Sequence, residues 1–222
     1  TTLSAAEMTS LHRHPAGVDP ATPRVRAAIV INDPAISASQ LPPELAASAL
    51  NAFGHAVEAP LTVLANPVAT AAAHDGGELI AGAFADPAEP DRDSLALGAL
   101  LAGYAAGSAI YGLHHVMSQT LVREAGVGHG TANALLLPHT LLALERRFPD
   151  ALARMGEAIG DEPRSAASRI AALTGPVRLR ERGVTAEQLA ACADAAVGRP
   201  ELALTPPAAD REELLAVYEA AW

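Results

Sequence analysis

Residues 112–139 read GLHHVMSQTLVREAGVGHGTANALLLPH. Helix-forming residues dominate, so the chemistry here sits on helices. His115 and Gln119 are four apart, which puts an imidazole and an amide on one helix face. Gly128 and Gly130 flank His129 where a second helix opens. Residues 51–55, Asn-Ala-Phe-Gly-His, repeat the spacing with Asn51 and His55. Three helices thus each carry a histidine among small residues, and His55, His115 and His129 converging on one cation would suit Zn, Fe or Ni. A lone histidine on an apolar helix is more commonly a hydrogen-bonded core residue, so spacing alone leaves both readings open. Glu58, three after His55, is read as a surface acid, with an orienting role for the histidines as the alternative.

Outward from this stretch the chain reads as helical from Ser37 on. Residues 39–59 start at Ser39 or a Pro-marked turn. Residues 66–84 form a second helix with Gly76 and Gly77 as a soft point. Residues 91–126 read as one long apolar helix and the natural centre of the fold. Pro138 should kink or split the helix opened by His129. Segments 149–160, 162–175 and 185–198 are amphipathic and each ends in Gly. Residues 211–222 close the chain, and 200–210 is the loosest stretch. Aromatics are only 3% of the 222 residues, so the core must be packed with Ala, Leu, Val and Ile, which favours closely packed helices.

Residues 24–33, RVRAAIVIND, read as a strand ending at Asp-Pro. One strand has no stability alone, and no second strand of that quality is present, so its sheet partners lie elsewhere. The preceding segment, with His12 and His14 in a Pro-rich opening, reads as loop.

The net charge of −10 argues against nucleic acid and against an anionic membrane surface as partners. All basic residues are arginine, which removes lysine Schiff bases and a lysine phosphate cradle. Neither GxGxxG nor GxxxxGK[ST] occurs, and CxxC, HExxH and GxSxG are also missing. The longest apolar run, around 95–106, is broken by Gly98, Gly103 and Tyr104 and is too short to span a bilayer. No secretory signal opens the sequence, and the single Cys192 forms no internal disulfide. A soluble, cytoplasmic protein is expected.

The same residues resemble the iron-containing alcohol dehydrogenase superfamily, in particular its maleylacetate reductase branch. Asn51-Ala-x-x-His55-Ala-Val-Glu58-Ala is similar to the family helix [D/N]AxxHAxEA. Gly112 to Gln119, followed by Gly128 to His139, resembles GLHHxxxH…HGxxNAxxLPH. The opening Thr1-Thr2-Leu-Ser-Ala-Ala-Glu7-Met-Thr resembles TTxSGSExT, residues 29–34 resemble the VIYDP strand, and 204–222 resemble the closing helix. The resemblance spans essentially the whole chain. It implies a mainly α fold: the helical-bundle C-terminal domain of the dehydroquinate synthase-like fold. Residues 1–36 would be a loop-plus-strand remnant of the nucleotide-binding domain, and 37–222 an all-helical substrate and metal domain.

The resemblance further implies NAD(P)H as cofactor, with Thr1 and Thr2 near the nicotinamide and most of its binding domain missing. His55, His115, His129 and, in fourth place, Asn51 would hold Fe or Zn. His114, His115, His129 and Gln119 would be the catalytic set. Two positions depart from the metal-dependent members. They carry Asp where Asn51 stands, and a neutral amide is a poorer metal partner. They usually carry a proton-relaying His where Gln119 stands, and an amide is neither acid nor base near neutral pH.

The implied activity is reduction of an oxo- or enol-acid such as maleylacetate, once a nucleotide-binding domain is supplied by a separate chain or by a longer protein. The alternatives are a stand-alone acid–base enzyme (isomerase, dehydratase, decarboxylase or cyclase) using the His-lined site, and a non-catalytic binding domain. The expected partners are a small carboxylic-acid substrate, a nucleotide-binding chain and a second copy in a homodimer.

Overall fold

A computed structural model describes residues 8–10, 17–19, 21–23, 25–175 and 178–222. Thr1, Thr2, His12 and His14 lie outside the described residues. Nine α-helices occur among those described: α1 Pro42–Glu58, α2 Pro67–Gly82, α3 Arg92–Ala109, α4 Leu113–Ala125, α5 His129–Arg147, α6 Pro149–Ile159, α7 Pro163–Ala171, α8 Ala186–Val197 and α9 Arg211–Ala221.

Local chemistry sets most of these ends. Pro42 and Pro43 open α1. Asn66 accepts from the Ala69 N–H at 3.0 Å to cap α2, and Asp91 caps α3. Thr185 and Gln188 form a capping box on α8. Gly126 and Gly160 end α4 and α6 in the left-handed conformation.

The centre of the fold is α1. It buries Leu45, Ala46, Leu50, Ala52, Phe53, Ala56 and Val57, and packs against α2, α3, α4, α5 and α7. The stretch expected to be the long central helix, 91–126, is instead two helices bent by 97°. The break falls at Ile110, which takes φ 63°, and Gly112 follows. A β-branched residue at positive φ is strained and is held there by its surroundings. The bend carries α4 out of line with α3 and aims its N-terminus at the end of α1.

The soft point expected at Gly76–Gly77 is a packing contact within an unbroken α2. A Cβ on Gly76 would lie 3.0 Å from the Gly98 carbonyl oxygen, so small residues let α2 and α3 touch through their backbones. Ala59, Ala69, Ala73, Ala105 and Ala109 form an all-alanine cluster at the same end. Pro138 does not split its helix, since α5 continues through it. The stretch expected to be loosest is anchored: Leu202 is buried, Val63 N–H donates to Leu204 O at 2.8 Å, and Arg147 donates to Thr205 O at 3.0 Å.

The strand expected over 24–33 is not formed among the described residues. Residues 25–33 make no ladder, and Val25, Ile29 and Ile31 are 70%, 81% and 85% exposed. The pattern suits a strand, but among the described residues no neighbouring strand is present to pair with it. The segment is nevertheless fixed to the bundle just beyond, where Asn32 donates to Ala96 O at 2.6 Å and Arg92 donates to Ser37 O and Gln40 O. Among the described residues no single helix is long and apolar enough to cross a membrane.

Candidate active site

The first turn of α4 is where the bundle spends its buried charge. Gly112, at the N-cap, has no side chain to cover the exposed N–H groups that start a helix. Glu58, at the end of α1, does this from a different helix. Its Oε1 accepts from the His114 N–H at 2.6 Å, and its Oε2 accepts from the His115 N–H at 3.1 Å. Glu58 is fully buried, so it is the orienting acid, and the surface reading of it is wrong. Burial pushes its carboxyl pKa up, while the charge and backbone N–H of His114 and the N–H groups of His115 and Gly112 pull it back. The positive end of α4 also favours the carboxylate.

Glu58 Oε2 also lies 2.6 Å from His115 Nδ1. With the carboxylate accepting, Nδ1 carries the proton and Nε2 is left as a lone pair. That Nε2 is buried and has no hydrogen-bond partner. Burial, with His129 adding to it, lowers the His115 pKa to about 3, against a small opposing effect of the Asn51 backbone carbonyl. The ring is therefore neutral at physiological pH, a preoriented proton acceptor backed by a carboxylate. Gly54 makes room for it, because a Cβ there would meet His114 Cδ2 at 2.9 Å and His115 Cε1 at 3.2 Å.

His55, one turn back on α1, stacks on His115 with ring centroids 3.9 Å apart and planes 10° apart. Its Nδ1 is likewise buried and unpartnered. Burial, then the neighbouring His115 and His129, hold it well below the usual histidine range. His129, at the exposed start of α5, brings Nε2 to 3.2 Å from Asn51 Oδ1 and 3.3 Å from Asn133 Nδ2. Protonated at Nε2 it donates to Asn51; unprotonated there it accepts from Asn133. The two amides thus hold the ring in either tautomer.

The structure therefore brings Asn51, His55, His115 and His129 together, the three histidines as their spacing allowed and Asn51 as the resemblance implied. His114 faces elsewhere. Its Nε2 donates to Asn133 Oδ1 at 3.1 Å, so the neutral ring accepts at Nδ1 from Thr140 Oγ1 at 3.0 Å. Burial, with His115 adding, takes its pKa to about 3. With both nitrogens engaged in the α4–α5 interface, His114 serves packing and orientation. Sequence reasoning passed over Asn133 and Tyr111. Asn133 is one turn beyond His129 on the same face, a signal that was available. Tyr111 has its ring 5.3 Å from that of His115, and its hydroxyl donates to Gln119 Oε1 at 3.4 Å.

The donors do not fit a resident iron or zinc ion in this arrangement. Among the described residues no three His, Cys, Asp or Glu side chains are placed to hold a metal. His55 and His115 stack face to face with their planes 10° apart, and the unpartnered nitrogen is Nδ1 on the first and Nε2 on the second. His129 Nε2 is turned to two amides, and Asn51 contributes no charge.

The family profile described as "Fe-containing alcohol dehydrogenase family, C-terminal" matches residues 45–222. A maleylacetate reductase of Pseudomonas aeruginosa is 31% identical, over 100% of this chain and 65% of its own length. A 1,3-propanediol dehydrogenase of Klebsiella pneumoniae is 32% identical, over 87% of this chain and 55% of its own. The crystal structure of maleylacetate reductase from Rhizobium sp. strain MTP-10005 superposes with a TM-score of 0.86 at 28% identity, over 100% of this chain and 65% of that one. The chain thus spans roughly half to two thirds of the length of the relatives it matches.

Proposed function

Because the chain belongs to the Fe-containing alcohol dehydrogenase family, as its C-terminal helical domain, we propose that it is the substrate-handling half of an oxidoreductase, acting on an oxo- or enol-acid together with a nucleotide-binding portion. The supporting observation is the Glu58–His115 pair with its bare, buried Nε2. The described residues offer no Gly-rich turn for a nucleotide, so the hydride carrier, NAD(P)H in this reading, is held by sequence outside them. That carrier supplies the hydride; the residues of this chain manage the oxygen and its proton.

In the direction of substrate oxidation, the hydroxyl of the reacting carbon donates its hydrogen bond to His115 Nε2. As electrons leave that carbon, the O–H bond breaks, the proton passes to Nε2, and the oxygen becomes a carbonyl. Glu58 stabilises the imidazolium that forms, as a carboxylate does behind a catalytic histidine generally. Reduction runs the same step backwards: Nε2, neutral at rest, takes up a proton as negative charge develops on the oxygen and passes it on. His129, held by Asn51 and Asn133, sits at the solvent side and is placed to exchange that proton with water. His55 walls the ring of His115 on one face, and no step uses a metal ion.

The segment 25–33, with Val25, Ile29 and Ile31 exposed, supports the view that a sheet belonging to the nucleotide-binding portion covers this edge. A test is to express the chain with a nucleotide-binding portion of a relative, fused or as a second chain, and to follow nicotinamide absorbance with oxo-acids. Oxidation of NAD(P)H by the pair and none by the chain alone is expected. Non-redox turnover of the acid by the chain alone would replace this reading with an acid–base enzyme.

A further inference from the structure

Gln119 lies one turn beyond His115 on α4, so the two side chains share a helix face. Both described hydrogen bonds of Gln119 end on its Oε1, from Tyr111 OH at 3.4 Å and from Arg199 Nη2 at 3.2 Å. Two donors on one atom settle the amide orientation, and the Nε2 amino group is turned the other way as an open donor. Arg199 comes from the turn after α8. Glu201 grips one edge of its guanidinium, with Nε to Oε2 at 3.1 Å and Nη2 to Oε1 at 2.7 Å. The remaining nitrogen, Nη1, is buried and has no partner. A charged donor left unmade inside a protein is costly, and such a group calls for a ligand or a reason. The chain Arg199–Gln119–Tyr111–His115 is contiguous, since the Tyr111 ring is 5.3 Å from that of His115. In a chain of net charge −10, a guanidinium with one nitrogen unmade, tied to the helix face of His115 through Gln119, is a selective feature.

We propose that Arg199 recognises a carboxylate of the substrate through Nη1, with Gln119 Nε2 donating a second hydrogen bond, so that the site selects small oxo- or hydroxy-acids over neutral alcohols and aldehydes. This assignment rests on the reading of the His115 centre as a substrate site. Glu201 then acts as a positioning residue. It fixes the fork of the guanidinium and lowers its net attraction for anions, which keeps the bound acid exchangeable. Gln119 replaces proton relay by hydrogen-bond donation, a change that suits binding an anion more than moving a proton.

The experiment is isothermal titration calorimetry of the full chain with 2-oxoglutarate and, separately, with its dimethyl ester. Wild-type chain should bind the acid and not the ester. Arg199→Met should weaken acid binding about tenfold to a hundredfold, the worth of a charge-assisted hydrogen bond. Glu201→Gln should tighten it, because the competing carboxylate is gone. That sign separates recognition from a structural role, in which losing the Glu201 contact would loosen the turn and weaken binding. Equal binding of acid and ester, no acid binding by wild type, or weaker acid binding in Glu201→Gln would each overturn the proposal. Because calorimetry needs no hydride transfer, acid binding without nicotinamide turnover in the complemented protein would leave Arg199 assigned and reject the oxidoreductase reading. Turnover of neutral substrates with no acid preference would do the reverse.

Discussion

Replacing Glu58 with Gln tests the site at its foundation. The carboxylate accepts the His114 N–H, the His115 N–H and the His115 Nδ1–H at 2.6, 3.1 and 2.6 Å. Glutamine is nearly the same size but has one acceptor oxygen, and its amino group would face at least one of these donors. Hydrogen bonds to a charged group contribute about 1.5–3 kcal/mol each. Leaving one of these buried donors unmade costs about 1–3 kcal/mol more. Removing the carboxylate also removes its own desolvation cost, the largest influence on Glu58, which holds the net loss to about 3 kcal/mol. For a chain of this size each kcal/mol lowers Tm by roughly 2–4 °C, so a fall of roughly 6–12 °C is expected. Thermal unfolding by circular dichroism reads it, and imidazole nitrogen chemical shifts report whether His115 keeps its proton on Nδ1. If Tm stays within about 2 °C of wild type and the tautomer is unchanged, Glu58 neither caps α4 nor orients His115.

Gly54→Ala puts a methyl group within 2.9–3.2 Å of the His114 and His115 rings, and overpacking of this kind should cost about 1–3 kcal/mol by denaturant unfolding. Asn133→Ala leaves the buried His114 Nε2–H without an acceptor and should lose about 1–3 kcal/mol, while the His129 resonances broaden as its ring loses one of its two amides. Asn51→Asp supplies the missing negative charge 3.2 Å from His129 Nε2, and should raise the zinc or iron content per chain, measured by plasma mass spectrometry, above that of wild type. His139 is held below the usual histidine range by burial and then by Arg178 and Arg164. Its neutral form therefore belongs to the folded state. The associated stability is present above the unfolded value near 6.5 and is lost as pH falls below it, so His139→Gln should flatten the decline of Tm between about pH 7 and 5.

Much of the fold was legible because helix ends are written locally. Pro42, Asn66, Asp91, Thr185, Gly126 and Gly160 mark boundaries that the structure keeps. The break between α3 and α4 was not legible, since Ile110 carries no sign of the positive φ that tertiary packing imposes on it. The segment 25–33 has a strand pattern, but a strand is a property of two segments and only one is here. At the site, the i,i+4 spacings singled out Asn51 with His55 and His115 with Gln119, while His129 came from its place at a helix start; the structure brings Asn51, His55, His115 and His129 together. Glu58 was misjudged because acids are seldom buried, and the groups that pair with it are backbone N–H groups and a ring 57 positions away. Arg199 could not be singled out among the arginines, because its tie to Gln119 spans 80 positions.

The most direct test of the account is His115→Asn in the protein complete with its nucleotide-binding portion, followed by single-turnover oxidation of NAD(P)H with an oxo-acid. Wild type should turn over, and the variant should stay folded, with a lowered Tm because Glu58 loses its ring partner, and keep its acid binding while the rate falls about a hundredfold or more, the usual worth of a positioned proton-transfer group. An undiminished rate in His115→Asn, or no nicotinamide oxidation by wild type with any oxo-acid or aldehyde, would contradict it.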